Sequence, residues 1–376
     1  MKFIVMPDSF KGTVSATRIS EIIKGEINLV FPGSEVLCLP IADGGEGTVD
    51  AFMQSGGQKR YLRAAGPFFT PVDSFYGKNG DTAVIEMAAC ASLPLAGENK
   101  NPMLTTTYGV GELIKAALDE GASNIILGLG GSCTNDGGCG MAAALGIRFL
   151  DGSGNAFIPV GGTLKDIAGI DLSHMDKRIC GRLTVMCDIQ NPLYGPNGAA
   201  FVFAPQKGAS DAEVRLLDDG LKHLAQCISV CMGTDISALP GGGAAGGMGA
   251  GAAAFLGGRL CSGIDVMLDY TGFDSLLCDT DCVLTGEGSC DSQSLMGKAI
   301  SGIARLTSKH SVPLIVIAGG IKGDPAPFYA SGITALVSAT RRPMTFAELA
   351  PHAEEYLRQS TQDALRLIRL GMSLKG

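Results

Sequence analysis

Apolar and polar positions follow a strand–helix–strand rhythm at the beginning of the chain. Residues 3–6 form a continuous apolar run, which is typical of a strand buried on both faces of a parallel sheet. Isoleucine and valine then recur at helical spacing over residues 19–30, with Ser15 as the candidate N-cap. Residues 36–39 form the next apolar run, so the chain is predicted to open with a β-α-β segment.

The middle of the chain has a different pattern. Between residues 61 and 87, short strand-like runs are separated by turn signals rich in glycine, proline and asparagine, which predicts an antiparallel meander. A helix with one apolar face is predicted over residues 211–232. Ser210 and Glu213 form a capping box at its beginning.

The strand–helix rhythm returns after about residue 281. Strands are predicted at 282–285, 313–318 and 334–337, with a helix over 298–309 between the first two. Two strands before the middle segment and three after it predict a five-stranded, doubly wound parallel sheet. The common strand order for this number of strands is 2-1-3-4-5.

The position of the middle segment between these strands predicts an α/β protein of two domains. Residues 1–56 and 280–376 are predicted to form a discontinuous doubly wound domain. Residues 57–279 are predicted to form a second, mixed-sheet α/β domain inserted into it. Ligands of such sheets bind where the strand order reverses.

Composition narrows the classes of function. Hydrophobic residues make up 46% of the 376 residues and charged residues 18%, as expected for a folded core. A net charge of −8 without tryptophan argues against nucleic-acid binding. No apolar run is long enough to cross a membrane, and the twelve cysteines contain no CxxC pair, so we expect reduced, mostly buried thiols in a cytoplasmic protein.

Six polar residues flank the predicted switch point of the doubly wound sheet. They are Asp8, Ser9 and Lys11 after the first strand, and Glu287, Asp291 and Lys298 after the third. Acids and lysines together suit a metal–phosphate group. Asp8 can instead hold a hydroxyl and Lys11 can meet a carboxylate, and the first loop can also be an N-capping turn with a solvated lysine. A charged, glycine-rich strand end at a switch point, as in the second loop, is seldom merely structural.

A glycine-rich loop is predicted at the end of the second strand. Gly44 and Gly45 open a helix, and free amides at a helix N-terminus attract anions. The flanking acids Asp43 and Glu46 would repel a bare anion, but they fit if Mg²⁺ lies between them and a phosphate. A tight glycine turn is the alternative.

The second glycine-rich loop, 128–138, is the most specific of these motifs. Its backbone amides and hydroxyls can form a phosphate cradle. The sequence matches neither a Walker A loop nor the dinucleotide-binding fingerprint. The candidate ligand-binding residues are Gly130, Gly131, Ser132, Thr134, Asn135 and Asp136.

Three further candidates and one glycine run follow. Asp188 comes after a strand and is a candidate general base or metal ligand, with Asn191 as a second polar contact and Lys207 as a nearby cation. A capped turn before a proline is the alternative for Asp188. The run 241–251 either lets a base or phosphate lie on the backbone or packs a helix very closely.

The candidate residues fit phosphoryl transfer. All four histidines lie outside these motifs, which argues against triad hydrolysis and histidine-based metal sites. Acids, isolated lysines and many backbone donors suit a reaction in which catalysis is mostly positioning and charge neutralisation.

Four segments together resemble the type 1 glycerate kinase family of bacteria. They are 7–12, 41–48, 128–138 and 285–288, and the resemblance extends over essentially the whole chain. The family usually has alanine where this chain has Cys133, a change that keeps the loop small. The resemblance implies an ATP-dependent phosphotransferase acting on glycerate, typically giving 2-phosphoglycerate, with a second domain inserted into a flavodoxin-like one.

The residue roles are hypotheses from chemistry. Asp188 is expected to be the base, with Lys11 and Lys298 as catalytic cations. Mg²⁺ is assigned to four acids: Asp43, Glu46, Glu287 and Asp291. A cleft between the two domains is expected to exclude water when it closes, and Lys11 or an arginine can hold the substrate carboxylate. The oligomeric state does not follow from the sequence.

Three alternatives stay open at this point. The acceptor can be another small hydroxy acid or a sugar acid, because the motifs would be nearly the same. The protein can be a nucleotide-binding sensor without catalysis, although the acids beside the glycine loops argue against simple anion binding. The glycine loops can also serve packing alone.

Overall fold

The computed structural model describes residues 1–291, 294 and 299–374. The chain divides into two compact units. The first consists of Met1–Ala42 and Gly263–Gly376, and the second of Asp43–Ser262.

The first unit contains a five-stranded, fully parallel sheet. Its strands are β1 (Lys2–Val5), β2 (Glu35–Cys38), β12 (Cys282–Glu287), β13 (Leu314–Ala318) and β14 (Ala335–Ser338). Their order is β14-β13-β12-β1-β2. The predicted doubly wound sheet and its order 2-1-3-4-5 are confirmed. The order reverses between β1 and β12.

Helices cover this sheet. They are α1 (Ala16–Val30), α10 (Gly263–Tyr270), α11 (Phe273–Leu276), α12 (Ala299–Lys309), α13 (Ala326–Ala330), α14 (Phe346–Leu349) and α15 (Ala353–Ser373), with 3₁₀ turns at Leu277–Asp279 and Ala350–His352. Ser15 caps α1 as predicted. The isoleucines of α1 are buried against β1, β12 and α15, because each of these elements presents apolar side chains to one core.

The second unit contains a six-stranded mixed sheet and a small three-stranded sheet. The large sheet has the order β11-β10-β6-β5-β4-β3, and the small one β8-β7-β9. The strands are β3 (Gln58–Ala65), β4 (Pro71–Asn79), β5 (Thr82–Glu86), β6 (Asn124–Gly128), β7 (Arg148–Leu150), β8 (Ala156–Phe157), β9 (Gly169–Asp171), β10 (Leu183–Met186) and β11 (Arg259–Cys261). The predicted antiparallel meander is present as β3-β4-β5, and β5 continues the sheet by pairing in parallel with β6.

The helices of the second unit include the predicted capped helix. They are α2 (Thr48–Met53), α3 (Ala88–Ala91), α4 (Leu93–Ala96), α5 (Tyr108–Asp119), α6 (Cys139–Ala144), α7 (Ala199–Phe203), α8 (Asp211–Met232) and α9 (Ala244–Leu256), with 3₁₀ turns at Gly161–Asp166, Lys177–Ile179 and Pro205–Lys207. Ser210 and Glu213 form the predicted capping box of α8.

The two units are divided at different residues from the domain boundaries predicted at 56/57 and 279/280. Helix α2 belongs to the second unit, because the Glu86 carboxylate accepts a hydrogen bond from the Val49 amide at 2.6 Å. Helix α10 belongs to the first unit. A Cβ on Gly302 of α12 would lie only 2.9 Å from Ile264 of α10, so the two helices pack closely.

The glycine run 241–251 packs closely against loop 128–138. Ala245, Gly246 and Gly247 have positive φ and interrupt α9. A Cβ on Gly251 would lie 2.1 Å from the Gly137 carbonyl oxygen. Close packing, one of the two alternatives for this run, is therefore present, and Ala244 and Ala245 of the same run also line a cavity.

All twelve cysteines are free, as expected. Their burial differs from the expectation in part, because Cys180, Cys231 and Cys278 are exposed. No helix within the described part of the chain is both long and apolar enough to span a bilayer.

Candidate functional site

Two glycine loops of the second unit meet at the carboxyl ends of β6 and β10. The Gly130 amide donates to the Gly44 carbonyl at 2.9 Å. A Cβ on Gly130 would lie 2.4 Å from the Cα of Gly45, and one on Gly44 would lie 3.0 Å from the Cβ of Met186. The backbones can approach this closely only because neither loop has side chains at these positions.

A cavity of about 310 Å³ lies beside these loops, within the second unit. Six residues singled out from the sequence line it: Asp43, Gly130, Gly131, Ser132, Asp188 and Lys207. They come from four separate segments of the chain. The fold therefore brings together an acid, a cation and backbone donors that are far apart in sequence.

The rest of the cavity wall is mostly apolar, and apart from Leu129, Ala244 and Ala245, which lie in the two glycine-rich segments named above, it was not singled out from the sequence. These lining residues are Leu93, Leu129, Met186, Cys187, Ile189, Phe203, Gln206, Ala244 and Ala245. Apolar side chains of this kind have the same pattern as core residues, so the sequence carries no signal that separates them. Gln206, which precedes Lys207 in the same 3₁₀ turn, was the one detectable polar neighbour.

Lys207 is the cation of the cavity and is held rigidly. Its side chain is buried, with 2% of the residue exposed. The ammonium donates to Ser132 Oγ at 2.8 Å and to the Thr134 carbonyl at 2.7 Å. Burial lowers the pKa of Lys207 to about 8, although the negative charge of Asp136 opposes that shift.

The second half of loop 128–138 does not reach the cavity. Thr134, Asn135 and Asp136 are fully buried. Asp136 accepts hydrogen bonds from the amides of Thr107, Gly138 and Gly140 and from the Thr107 hydroxyl. Asp136 therefore fixes the loop to the segment before α5 and to the beginning of α6. Phosphate binding by these three residues stays a prediction. Burial raises the pKa of the Asp136 carboxyl.

Asp188 and Asn191 lie on the loop after β10 but are placed differently. Asp188 is exposed and lines the cavity. The Asn191 amide nitrogen donates to the Asn197 carbonyl at 2.8 Å, and Asn191 does not line the cavity. Asn191 therefore stabilises its own loop in this structure, and its predicted ligand contact stays a prediction.

Asp43 and Glu46, the acids of the first glycine loop, are exposed, and Asp43 lines the cavity. Asp43 Oδ1 accepts from the Gly45 amide at 3.0 Å. A Cβ on Gly131 would lie 3.9 Å from Glu46 Oε1. Among residues 1–291, 294 and 299–374, no three His, Cys, Asp or Glu side chains are grouped to hold a metal ion. Protein ligands alone therefore do not complete a metal site there.

The other predicted residues lie in the first unit, at the switch point of its sheet. The Asp8 amide donates to the Gly286 carbonyl at 2.8 Å, and the Ser9 amide donates to Asp8 Oδ1 at 2.6 Å. A Cβ on Gly288 would lie 3.3 Å from the Lys11 amide nitrogen. The loops that carry Lys11 and Glu287 are thus neighbours, as the strand order predicts. Asp291 follows β12, and Lys298 lies outside the described residues.

Comparison with known proteins identifies the family. The profile of the "Glycerate kinase family" matches residues 3–369. The Bacillus subtilis (strain 168) protein named glycerate kinase is 44% identical over 379 residues, which covers 100% of this chain and 99% of the relative. The Escherichia coli (strain K12) protein named glycerate 2-kinase is 40% identical, with 100% of both chains covered.

A solved structure gives the same result for the fold. It is described as a glycerate kinase 2 from Salmonella typhimurium LT2, and it matches with a TM-score of 0.88 and 39% identity over 99% of each chain. The family profile and relatives named as kinases, together with the shared two-unit α/β fold, identify the protein as a kinase. The chain belongs to the glycerate kinase family.

Proposed function

We propose that the protein transfers the γ-phosphoryl group of ATP to D-glycerate, at the 2-hydroxyl, to give 2-phosphoglycerate. The observation that carries the proposal is the cavity of the second unit, where an exposed acid, a buried lysine and two glycine loops converge. Relatives named glycerate kinase and glycerate 2-kinase at about 40% identity support the acceptor and its position.

Asp188 is proposed as the general base. Its carboxylate lies on an exposed loop at the wall of the cavity, so it can accept a proton from a bound hydroxyl. Proton removal by a positioned carboxylate is the role that an acid takes in kinases, where the attacking oxygen needs alignment more than activation.

Charge neutralisation is assigned to backbone amides and lysines. Gly131 borders the cavity, and its amide is the backbone donor proposed there, because the Gly130 amide already donates to the Gly44 carbonyl. Lys11 and Lys298 are the cations proposed for the transferred group. The carboxylates among the candidate residues suit Mg²⁺ because they occur as two pairs. Asp43 with Glu46, and Glu287 with Asp291, each offer two carboxylates, which is the number Mg²⁺ takes when phosphate oxygens complete its shell. Mg²⁺ bound with ATP would supply charge neutralisation on the phosphoryl oxygens.

Two alternatives are separated by one assay. ADP release is measured from MgATP with and without D-glycerate, and the product is identified by phosphorus NMR. Glycerate-dependent turnover to 2-phosphoglycerate supports the proposal. Turnover only with another hydroxy or sugar acid moves the substrate and keeps the mechanism. Absence of turnover with every such acid contradicts the kinase activity and favours a nucleotide-binding sensor.

A cytoplasmic location is part of the same proposal. Twelve free thiols, three of them exposed, fit a reducing compartment. A protein adapted to a reducing compartment should lose activity when its thiols are cross-linked by oxidation. If oxidation of the purified protein increased its activity instead, that result would contradict the cytoplasmic location.

A further inference from the structure

Lys207 is a buried cation without a counter-ion. It makes no ion pair with any residue that the structure describes, and its two hydrogen-bond partners, Ser132 Oγ and the Thr134 carbonyl, are both neutral. Burying an unpaired charge is costly, so such groups are normally paired or neutral. Asp136 is the negative group whose charge acts on Lys207, but its oxygens are already held by Thr107, Gly138 and Gly140.

Lys207 and Ser132 each keep one hydrogen-bond donor without an acceptor in these contacts, and both residues lie at the cavity wall. An ammonium has three N–H bonds, and two of them are used by Ser132 and Thr134. Ser132 Oγ accepts from Lys207, so its own proton can be donated onward. Both residues line the cavity. The pair therefore presents two donors and one positive charge to a ligand there.

We propose that Lys207 and Ser132 bind the carboxylate of the acceptor substrate, which makes Lys207 the residue that selects hydroxy acids over uncharged hydroxyl compounds. This inference rests on the proposed function and names the substrate group at the same site. Asp188 lines the same cavity, so a short hydroxy acid held by its carboxylate presents its hydroxyl to the proposed base.

Charge matching favours a carboxylate over the phosphates of ATP. Lys207 is the one lysine or arginine among the residues that line the cavity, while Asp43 and Asp188 are both acidic. A triphosphate carries several negative charges, so beside those acids it would need Mg²⁺ in addition to the single buried cation. A carboxylate carries one charge and neutralises Lys207. The largely apolar wall also limits how many polar groups the occupant can have.

The inference predicts a pH dependence with a definite sign. Lys207 must be protonated to bind a carboxylate, and its pKa in the free protein is lowered to about 8 by burial. The titratable groups that face it are the Asp136 carboxylate and the Cys133 thiol, whose pKa burial raises to about 12, with Asp43 and Asp188 elsewhere on the cavity wall. Affinity for glycerate should therefore fall as pH rises above about 8. Bound carboxylate raises the pKa of Lys207, so kcat should persist to higher pH than kcat/KM.

The test compares two substrates in the full-length protein. D-Glyceramide is the uncharged amide analogue of D-glycerate. In Lys207→Met, kcat/KM for glycerate should fall about 10²- to 10³-fold, because a charge-assisted contact is lost. The value for glyceramide should change less than about threefold, and KM for ATP should stay constant. Lys165→Met is the matched control, because Lys165 is half exposed and pairs with Asp219 outside the cavity.

Three results would overturn the inference. One is an equal loss for both substrates with a raised KM for ATP, which would place Lys207 on phosphate. Another is an unchanged variant. The third, which needs no variant and so applies even if Lys207→Met does not fold, is a wild-type protein that uses glyceramide as well as glycerate.

Calorimetry keeps the inference separate from the proposed function. D-Glycerate is titrated into the wild-type protein without ATP at pH 7 and pH 9. Binding that weakens at pH 9 supports the carboxylate site even if no phosphoryl transfer is found. Absence of binding at both pH values contradicts the site, whatever the enzyme activity.

Discussion

The two halves of loop 128–138 have the same kinds of residues but different surroundings. In the first half, Gly130, Gly131 and Ser132 line the cavity. In the second half, Thr134, Asn135 and Asp136 are fully buried. Glycines and hydroxyl side chains occur in both halves, so the difference comes from the packing around the loop and not from its composition.

The comparison teaches that the half of the loop at the cavity is held in place by polar contacts made in the buried half. Asp136 holds the second half by four hydrogen bonds, and Lys207 joins the halves by donating to Ser132 and to the Thr134 carbonyl. We therefore expect substitutions at the cavity wall to change rates, and substitutions in the buried half to change stability.

The largest effect is expected at the cavity wall. Asp188→Asn should lower kcat by about 10²- to 10⁴-fold, because the amide cannot accept the proton of a hydroxyl. Its melting temperature should stay within error of the wild type, because Asp188 is exposed. Steady-state kinetics and a thermal melt measure the two quantities.

Asp73→Asn is the matched control for Asp188→Asn. The Asp73 side chain is 98% exposed on β4, and its contact with Arg63 is as long as 3.7 Å. It should change neither kcat nor stability. An Asp188→Asn variant with wild-type kcat would remove Asp188 from the role of base.

The next largest effect is expected where α9 supports the buried half of the loop. Gly246 has φ +68°, and a Cβ there would lie 2.0 Å from the Thr134 carbonyl oxygen. Gly246→Ala should therefore lower the free energy of unfolding by about 3–5 kcal/mol, through strain and overpacking together. Urea denaturation measures the loss.

Gly257→Ala separates strain from overpacking. Gly257 has φ +65°, and a Cβ there would meet nothing within 4 Å. This variant should lose only the cost of a left-handed residue, about 1–2 kcal/mol. Equal losses in the two variants would mean that contact with Thr134 does not matter.

The sequence predicts the sheet of the first unit well but divides the loop poorly. Parallel strands buried on both faces leave apolar runs such as 3–6 and 282–285, and these give the strand count, to which the common order for a doubly wound sheet was then applied. Nothing comparable distinguishes Ser132 from Thr134, because both are hydroxyl residues beside glycines. Their separation depends on α9 and on Lys207, which contact the loop from far along the chain.

The cavity wall shows the same limit. Asp188 and Lys207 could be singled out as charged residues beside turns, whereas Phe203 and Ile189 have the pattern of ordinary core residues. The kink of α9 was also hidden. Its glycines allowed either ligand contact or close packing, and the structure shows that they pack against the backbone at Thr134 and Gly137 while Ala244 and Ala245 line the cavity.

Asp136→Asn tests the support role directly. Both carboxylate oxygens of Asp136 accept from backbone N–H groups, and the asparagine side chain replaces one of them with an NH₂ group. Two hydrogen-bond donors then face each other in a buried place. We expect a loss of about 2–4 kcal/mol in the free energy of unfolding, with kcat changed less than about threefold in the folded protein. Chemical denaturation and kinetics below the transition measure both.

Asp151→Asn is the control for Asp136→Asn. Asp151 also accepts two backbone hydrogen bonds, from Ser153 and Asn155, but it is only half-buried, at a turn that water reaches. Water can replace those contacts, so stability should hardly change. If Asp136→Asn were as mild as Asp151→Asn while kcat collapsed, the buried half would belong to the reaction, and the comparison of the two halves would be wrong.

The smallest effect, and one of opposite sign, is expected at Thr134. Its hydroxyl is fully buried and has no hydrogen-bond partner among the residues that the structure describes. Thr134→Val keeps the shape and removes the desolvated oxygen, so the protein should gain up to about 1 kcal/mol of stability with an unchanged kcat. Urea titration measures the gain, and Thr107→Val is the contrast, because the Thr107 hydroxyl donates to Asp136 and accepts from the Met141 amide.

A stability loss in Thr134→Val would mean that its hydroxyl has a partner, most simply an internal water molecule. A fall in kcat would instead place the buried half of the loop in contact with the reaction.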